Sequence, residues 1–421
     1  MISAISKRKN QDYLFLFLLG DSSRIKDSDL DGFRSNGISH LFSISGMHFS
    51  LLIGIISYFI LRKKNSPGAL ILLNLFLFGY LHLIDYVPSA CRAFLFWELK
   101  TISKYLKLNW SDLRCFLWMI LLILFWKPFY LFDVGFQFSA VLCFFLCEGK
   151  NLFKNQQPFL QSLSFSVFTF MVSLPMVLYY YFSVNFLSIV WNLFLVPFVT
   201  TIFFPVQLFS FFLPPLSFLG HFLGEWFEAV SRFLQNFDFL TFTFHKPPII
   251  WIFLYYFCLF LFLKKIHPKK MIGGLVVLII VLYHWNFFIP QSYFLMIDVG
   301  QGDSLLIHSN NHTVLVDTGG NYYQEQGTIY QQKLKPLLAS LGIRKLDVLC
   351  LTHGDYDHLG EAFPLIQEIP VKKVYFNEGS MTEEEEKLKV QLVEKKISYD
   401  ILQEGASFRI GKFSFFSLNK V

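Results

Sequence analysis

Charged residues are scarce in this sequence of 421 residues. Asp, Glu, Lys and Arg make up 16% of it and hydrophobic residues 54%, whereas about a quarter of a typical soluble domain is charged. This shortage excludes an ordinary soluble enzyme over the whole length, and it predicts a polytopic α-helical membrane protein.

The charge is also unevenly distributed along the chain, because residues 1–290 carry a net charge of +10 and residues 291–421 a net charge of −4. The usual excess of Lys and Arg in cytoplasmic loops is enough to explain a basic membrane region. Positive charge would also suit a polyanion that passes through the membrane region.

Cysteine pairs and a secretion signal are missing too. The six cysteines lie in apolar runs and none is spaced Cys-x-x-Cys, which excludes a zinc ribbon or a dithiol redox centre. Residues 1–10 are polar and basic, and the apolar run at 13–19 is too short to span a bilayer. We therefore expect no cleavable signal peptide, and we interpret residues 1–39 as an N-terminal interfacial segment.

Long apolar runs fill most of residues 40–290, and a spanning helix needs about 20 such residues. The predicted spans are residues 41–61, 68–84, 116–132, 134–148, 159–182, 186–210, 248–263 and 271–289, and residues 86–99 add a shorter or re-entrant one. The count is eight or nine transmembrane helices. Residues 211–245 contain Pro214 and Pro215 and several charges, and are predicted to form broken or interfacial helices.

Two short loops, at residues 62–64 and 264–270, are rich in Lys and Arg. Basic loops remain on the cytoplasmic side of a membrane. The last span then runs outward, and it places everything after Pro290 on the external or periplasmic side.

From residue 291 the pattern changes to short β-like runs at residues 293–298, 304–308, 313–317, 346–351 and 373–376. A helix is predicted over residues 331–341. Strands separated by Gly/Asp turns and followed by one helix before the next buried strand are typical of a soluble α/β sandwich.

Four side chains that bind metals in proteins follow the strand at 346–351 within six residues: His353, Asp355, Asp357 and His358. We predict that His353 and Asp355 hold one ion and that Asp357 and His358 reach a second. Two ions support hydrolysis of a phosphodiester or an amide, with Asp357 as a catalytic residue. Two carboxylates beside two imidazoles suit zinc, manganese or magnesium. A solvated turn is the alternative, but four candidate ligands in six positions favour a metal site.

Two further turns, Asp298-Val299-Gly300-Gln301-Gly302-Asp303 and Asp317-Thr318-Gly319-Gly320, flank the first strand pairs. Together with the His-x-Asp-x-Asp-His run they resemble the metallo-β-lactamase fold, and in particular its branch with Asp355 in place of a second His. The resemblance implies a divalent metal cofactor, zinc or manganese. It also implies that residues 291–421 are the N-terminal half of a metallo-β-lactamase-like domain. The turn-motif residues are Asp298, Gly300, Gly302, Asp303, Asp317 and Gly319.

Polar side chains interrupt the apolar runs, among them His48, Arg92, Gln137 and Asn192. Such groups are costly in lipid and tend to face a water-filled path or each other. Hydrogen bonding between helices explains any single Asn or Gln equally well. Arg92 is different, because a cation there needs a partner or a phosphate.

Several stretches of residues 40–290 resemble the ComEC-type competence, or DNA-internalisation, channel family. They are His40-Leu41-Phe42-Ser43-Ile44-Ser45-Gly46-Met47-His48, Pro88-Ser89-Ala90-Cys91-Arg92-Ala93, Phe132-Asp133-Val134-Gly135-Phe136-Gln137-Phe138-Ser139, Leu174-Pro175 and residues 192–197. With the metallo-β-lactamase motifs, the resemblance covers nearly the entire chain. The family-motif residues that we assign to a candidate pore are His40, Ser43, Ser45, Gly46, His48, Pro88, Ser89, Arg92, Gln137, Ser139, Asn192 and Pro197.

The resemblance implies an inner-membrane channel that takes up single-stranded DNA during natural transformation, with a nuclease-like domain outside. The implied partners are single-stranded DNA, membrane lipid, other competence proteins and a second copy in a homodimer. The implied location is the bacterial cytoplasmic membrane.

Two features depart from the family's pattern. Full-length members open with further membrane helices and an OB fold, a surface that binds single strands, so residues 1–39 are expected to be a remnant. At the other end, the later metal ligands of a complete metallo-β-lactamase domain have no positions before Val421. Half a sandwich is also expected to leave one apolar sheet face uncovered and one sheet edge unpaired.

Three functions fit this sequence. The first is the DNA-uptake channel, the second a membrane-anchored metal-dependent hydrolase, and the third an inactive fragment of a split or decayed competence gene.

Overall fold

The structure is a computed structural model that describes residues 12–42, 46–61, 67–154, 156–211, 213, 215–237, 240–309, 312–323, 327–410 and 413–416. The chain forms two compact units. Unit 1 comprises residues 1–174 and 185–241, and unit 2 comprises residues 175–184 and 242–421.

Helices dominate the chain as far as residue 288. They are α1 (Asp12–Leu19), α2 (Asp27–Ser35), α3 (Gly46–Leu61), α4 (Pro67–Leu83), α5 (Pro88–Tyr105), α6 (Asp112–Trp126), α7 (Val134–Gly149), α8 (Pro158–Tyr181), α9 (Ser188–Phe198), α10 (Phe204–Ser210), α11 (Leu216–Gln235), α12 (Ile249–Leu263), α13 (Pro268–Tyr283) and α14 (Trp285–Phe288). A π-helical turn, Val199–Phe203, joins α9 to α10, and two short strands are β1 (Ser183–Asn185) and β2 (Thr241–Thr243).

Two of these helical segments are long and apolar enough to cross a membrane, Pro158–Tyr181 and Ser188–Ser210. Shorter apolar helices occupy His48–Tyr58, Gly68–Leu83 and Ile249–Leu263. Apolar helices therefore occur where spans were predicted, but the total of eight or nine remains a prediction.

The segment after Pro214 and Pro215 was predicted to form broken or interfacial helices. Residues 216–235 form one unbroken helix of 20 residues, and an interfacial position for it stays a prediction. Pro215 lies at its N-cap, where proline disturbs no helical hydrogen bond, so the helix begins beyond both prolines. The helix buries Gly224, Phe227 and Ser231 on one side.

An aromatic core holds unit 1 together near its start. Phe42 stacks on Phe33 with ring centroids 4.4 Å apart and meets Phe227 edge-on at 4.8 Å. Phe17 contacts Phe203 edge-on at 5.3 Å. Offset and edge-to-face pairs of this kind are favourable beyond the area they bury, so some of the many phenylalanines form a packed core.

Unit 2 contains a six-stranded sheet with the order β3-β4-β5-β6-β7-β8. Its strands are β3 (Ser292–Met296), β4 (Leu305–Ser309), β5 (His312–Val316), β6 (Leu346–Cys350), β7 (Val371–Asn377) and β8 (Ser398–Leu402), and a hairpin of β9 (Ser407–Ile410) and β10 (Phe413–Phe416) follows. Its helices are α15 (Lys335–Ser340), which continues a π-helical turn at Tyr330–Leu334, α16 (Tyr356–Leu359), α17 (Ala362–Glu368) and α18 (Glu383–Glu394).

All five predicted strands and the predicted helix are present. The first three strands pair antiparallel, and β5 to β8 pair parallel, with Val316 opposite Cys350. One sheet face packs against the helices through a closed core that includes Leu315, Leu338 and Leu349, each fully buried. The fold is therefore an α/β layer structure of the predicted kind.

The opposite sheet face is partly covered, although it was expected to be bare. Ile307, Val314 and Val348 are buried there, and partly buried side chains of the β9–β10 hairpin pack against them. The edge strand β3 still exposes Phe294 and Met296, at 64% and 78%.

Unit 2 also includes the last two long helices, because several hydrogen bonds tie them to the sheet region. The Arg344 guanidinium donates to the carbonyls of Thr243 at 2.8 Å and Tyr283 at 2.6 Å, and stacks 3.6 Å from the Tyr283 ring centroid. The Asn286 side chain donates to the Leu341 carbonyl at 2.8 Å, and Lys246 N–H donates to the Ser340 carbonyl at 2.8 Å. The sheet region is thus fixed to the segment that precedes α12, to the end of α13 and to α14.

Replacing Arg344 by Ala or Lys is expected to loosen this attachment, because only a planar guanidinium can stack and donate at two places. Hydrogen–deuterium exchange of the full chain in detergent should then speed up in residues 284–291. Arg409→Ala, which removes an exposed arginine of β9, serves as control. Exchange at the wild-type rate in both Arg344 variants would contradict this account.

Asp347 offers a second test, through pH. Burial raises its pKa, but hydrogen bonds from Lys372 and from the Thr313 N–H outweigh this effect and hold the pKa below the usual range. A lowered folded-state pKa stabilises the fold above the unfolded pKa of about 3.9, and this contribution fades as pH falls through the folded value. Asp347→Asn should therefore lower the free energy of unfolding by about 1–3 kcal/mol at pH 7.

Thermal unfolding at a series of pH values checks this prediction. The gap in melting temperature between wild type and Asp347→Asn should shrink as the pH falls below the unfolded pKa of about 3.9. A gap independent of pH would show that the charge of Asp347 is not what stabilises the strands.

Candidate metal centre

Asp317 organises the carboxyl edge of the sheet. Because β5 and β6 are parallel neighbours, Asp317 and Thr352 follow their strands at the same edge. Asp317 is 2% exposed. Its Oδ1 accepts from Thr352 N–H at 2.8 Å, and its Oδ2 is 2.5 Å from Thr352 Oγ1. Two strand ends are thus joined by one buried carboxylate.

The same carboxylate fixes one imidazole. His358 lies on the short helix α16, and its Nδ1 is 2.8 Å from Asp317 Oδ2. A ring nitrogen engaged in this way directs the other nitrogen, Nε2, toward a metal. His353 has a similar arrangement on the loop, with Nδ1 3.0 Å from Thr352 Oγ1.

Three of the four predicted ligands form one group. Ligand atoms of His353, Asp357 and His358 all lie within 4.8 Å of one another. The two imidazole centroids are 3.7 Å apart, and Asp357 Oδ2 is 3.8 Å from His358 Nε2. Asp355 is more exposed, and its Oδ2 is 3.6 Å from His353 Nε2. Both predicted pairs, His353 with Asp355 and Asp357 with His358, are therefore close, and α16 also brings His358 next to His353. The binding of one ion by each pair stays a prediction.

The donor set fits a divalent ion. Two imidazoles and a carboxylate, half-exposed at the end of a rigid sheet, are ligands that zinc and manganese accept. Asp355 Oδ2, 3.6 Å from His353 Nε2, places a second carboxylate next to this donor set.

The glycines of the turn motifs allow the metal loop to approach the backbone. A Cβ on Gly302 would lie 1.7 Å from the Asp357 carbonyl oxygen, and one on Gly320 would lie 2.0 Å from that of Tyr356. Both distances are impossible for a side chain. Thr318 N–H also donates to the His358 carbonyl at 2.7 Å, so the two loops are held together.

The other motif residues lie further out. Asp298 accepts from Gly300 N–H at 3.1 Å and pairs with Lys333 at 3.1 Å. Gly300 has open space around it, a Cβ on Gly319 would lie 2.6 Å from Val299, and Asp303 is exposed. These residues shape turns and do not join the metal group.

Glu361 and Thr352 were not predicted as site residues. Glu361 is 2% exposed and accepts from the N–H groups of Tyr330 at 2.9 Å and Gly327 at 3.3 Å. Burial raises its pKa. It joins the segment after the metal loop to the helix that begins near Tyr330. No periodic pattern signals a contact of this kind, since the partners lie about 30 residues apart.

Among the residues that the structure describes, the candidate pore residues lie on several helices and turns, and their role in a pore stays a prediction. His40 is exposed in the turn Ser39–Leu41, while His48 is buried between Phe17 and Phe204 at ring distances of 5.2 and 4.8 Å. Gly46 lies against Ser89 of α5, where Pro88 is the first residue. Ser43 and Ser45 lie outside the described residues.

The half-buried amides of Gln137 and Asn192 lie near backbone carbonyls. Gln137 donates to the Leu131 carbonyl at 2.8 Å, and Asn192 Nδ2 lies 3.5 Å from the Gly37 carbonyl. Ser139 Oγ contacts Cys143 Sγ at 3.9 Å, and Pro197 lies inside α9. Each amide thus has a contact within the protein, and both alternatives for these side chains stay open.

Arg92 is 4% exposed on α5. Its Nη2 is 3.3 Å from the Gly135 carbonyl, and its guanidinium lies 5.2 Å from the Phe136 ring centroid. Its Nε and Nη1 have no hydrogen-bond partner among the residues that the structure describes.

The sheet, its helices and the His/Asp group at its carboxyl edge define the class of unit 2, a metallo-β-lactamase-type domain. Residues 297–414 match the model of the metallo-beta-lactamase superfamily, and residues 17–269 match that of the competence protein family. The second match covers more than half of the chain, so the chain belongs to the competence protein family. The resemblance found in the sequence is thereby confirmed.

Individual relatives agree with this assignment. The chain is 28% identical to ComE operon protein 3 of Bacillus subtilis in an alignment of 429 positions that covers 95% of this chain and 55% of that protein. It is 30% identical to uncharacterized protein MG316 of Mycoplasma genitalium in an alignment of 278 positions that covers 61% of this chain and 66% of that protein. Competence protein ComA of Neisseria gonorrhoeae is 37% identical over 78 residues, 18% of this chain and 10% of that protein. The chain thus spans about half the length of ComE operon protein 3.

Asp317→Asn tests how the site is built. The substitution keeps the size of the side chain but removes the charge that orients His358, and loss of such a partner typically weakens metal binding about 10- to 100-fold. Competition with a chromophoric chelator for Zn²⁺ or Mn²⁺ measures the affinity of the full chain. Asp298→Asn, at a carboxylate that is 89% exposed, should bind as wild type does. Unchanged affinity in Asp317→Asn would contradict the assigned role.

Proposed function

We propose that this chain is a channel for the uptake of single-stranded DNA during transformation, with a metal-dependent nuclease-like domain attached. One observation carries the proposal. A single chain joins a competence-family helical region to a rigid edge that groups two imidazoles and a carboxylate. Names of relatives that include competence proteins support the uptake role.

In this proposal some residues of unit 2 bind the metal ion and others position those ligands. His353, His358 and Asp357 hold a divalent ion through ligand atoms that already lie within 4.8 Å of one another, and Asp355 supplements them. When bound, such an ion activates water and stabilises the charge that develops in phosphodiester hydrolysis. Asp317 keeps His358 in one orientation, and Thr352 does the same for His353.

The proposed location is the bacterial cytoplasmic membrane, with eight or nine spans and with unit 2's sheet on the external side. The basic loops at 62–64 and 264–270 support this orientation. The proposed partners are single-stranded DNA, lipid and other competence proteins, and a homodimer remains part of the proposal.

A membrane-anchored hydrolase without a role in uptake is the second candidate. The metal group favours this candidate, because all of its ligands lie in the sheet region and none in the helical region. The two functions are distinguished by whether DNA uptake into the cell depends on this protein.

Labelled duplex DNA offered to competent cells tests both parts at once. Deletion of the gene should abolish both internalised label and release of soluble nucleotides. His358→Ala should lower nucleotide release at least about tenfold, because one imidazole ligand is lost. His312→Ala, a change at the far end of β5, is the matched control.

Each outcome addresses one part of the proposal. Normal internalisation in the deletion strain would contradict the channel and favour the plain hydrolase. Unchanged nucleotide release in His358→Ala would contradict hydrolysis by this domain.

A further inference from the structure

Exposed tyrosines lie beside the metal group. Tyr322 and Tyr323 are 74% and 93% exposed. They follow the turn after Asp317, and Tyr323 N–H donates to Asn321 Oδ1 at 2.9 Å. Tyr356 stands between Asp355 and Asp357 in the metal loop itself.

Tyr322 is already stacked. Its ring lies 4.4 Å from the Tyr356 ring, centroid to centroid, with an angle of 29° between the planes. One face of Tyr322 is therefore supported by a residue of the metal loop. At 74% exposure the rest of the ring is open to solvent.

The loops that carry these rings are joined firmly. Thr318 N–H donates to the His358 carbonyl at 2.7 Å, and Glu361 N–H donates to the Gly319 carbonyl at 3.1 Å. Gly320 approaches the Tyr356 carbonyl too closely to tolerate a side chain. The tyrosines are thus held near the ligands by backbone contacts on both sides of the cluster.

We propose that Tyr322, backed by Tyr356, together with Tyr323, forms a stacking surface for unpaired bases of a single DNA strand whose backbone passes the metal ligands. This inference rests on the proposed function, since it assumes that DNA is the substrate. An aromatic face accepts any base, which gives binding without sequence preference. Bases inside a duplex have both faces covered by their neighbours, so the surface selects unpaired strands.

The charge in this part of the domain is negative. Asp355 and Asp357 lie in the metal loop, and Glu384 is near enough to interact electrostatically with Tyr356. These carboxylates repel the phosphates of a strand as well as an acidic peptide, unless a bound divalent ion offsets them. We therefore assign the uncharged bases to the tyrosines and expect the strand to bind when the ion is present.

Photocrosslinking locates the bases directly. The full chain in detergent is mixed with a phosphorothioate strand, which resists cleavage, that carries 5-iodouracil, and Mn²⁺ is present. Illumination should give adducts that mass spectrometry maps to Tyr322 or Tyr323. Tyr322→Ala should lower the yield and the affinity of the strand roughly 5- to 150-fold, as expected for one lost stacking contact. Tyr322→Phe should retain both.

Controls separate stacking from other roles of the ring. Tyr322→Leu keeps an apolar side chain without a π face, and it should behave like the Ala variant. Tyr105→Ala removes a tyrosine of the same exposure, 73%, and should change nothing. A strand with abasic sites should bind wild type as weakly as the intact strand binds Tyr322→Ala.

Two results would overturn the inference, and they differ in meaning. Adducts confined to residues 12–290, with an unchanged affinity in Tyr322→Ala, would leave the uptake function standing without a base-stacking surface. If no adduct forms anywhere and the strand does not bind, both the inference and the proposed function fail.

Discussion

Unit 2's site depends on one buried carboxylate. Asp317 receives a backbone N–H and a hydroxyl from Thr352 and contacts Nδ1 of His358, at distances between 2.5 and 2.8 Å. A buried carboxylate is costly unless its oxygens are satisfied, so the loop can close only in an arrangement that supplies these partners. That arrangement joins two strand ends and determines where the imidazoles point.

The rest of the site follows from this closure. The metal loop comes so near the turn-motif glycines that Gly302 and Gly320 cannot carry side chains. Two imidazoles and a carboxylate are then grouped on a sheet whose core is closed by helices. The sheet region in turn is fixed to β2, to the end of α13 and to α14 through Arg344 and Asn286. Preorganisation of this kind lets a site bind an ion without rearranging its scaffold.

Local pattern predicted much of this fold. Strands β3 to β7 and the helix over 331–341 were recognisable because buried strands and helices have characteristic periods. Strand β8, the β9–β10 hairpin and helices α17 and α18 were not predicted. The four candidate ligands were recognisable because they are adjacent in sequence. The contact between His353 and His358 was not predicted, since it depends on the turn of α16. Asp317 was read only as turn chemistry, because its partners lie 35 and 41 residues away. Hydropathy alone could not show that Gln137 and Asn192 contact nearby carbonyls.

Pulsed electron paramagnetic resonance of the purified full chain with bound Mn²⁺ tests the central claim most directly. The account predicts modulation from nitrogen nuclei of the imidazoles of His353 and His358, and its loss when both are replaced by Ala. A spectrum of hydrated Mn²⁺ without nitrogen coupling in the wild-type chain would contradict the claim that this edge of the sheet is a metal centre.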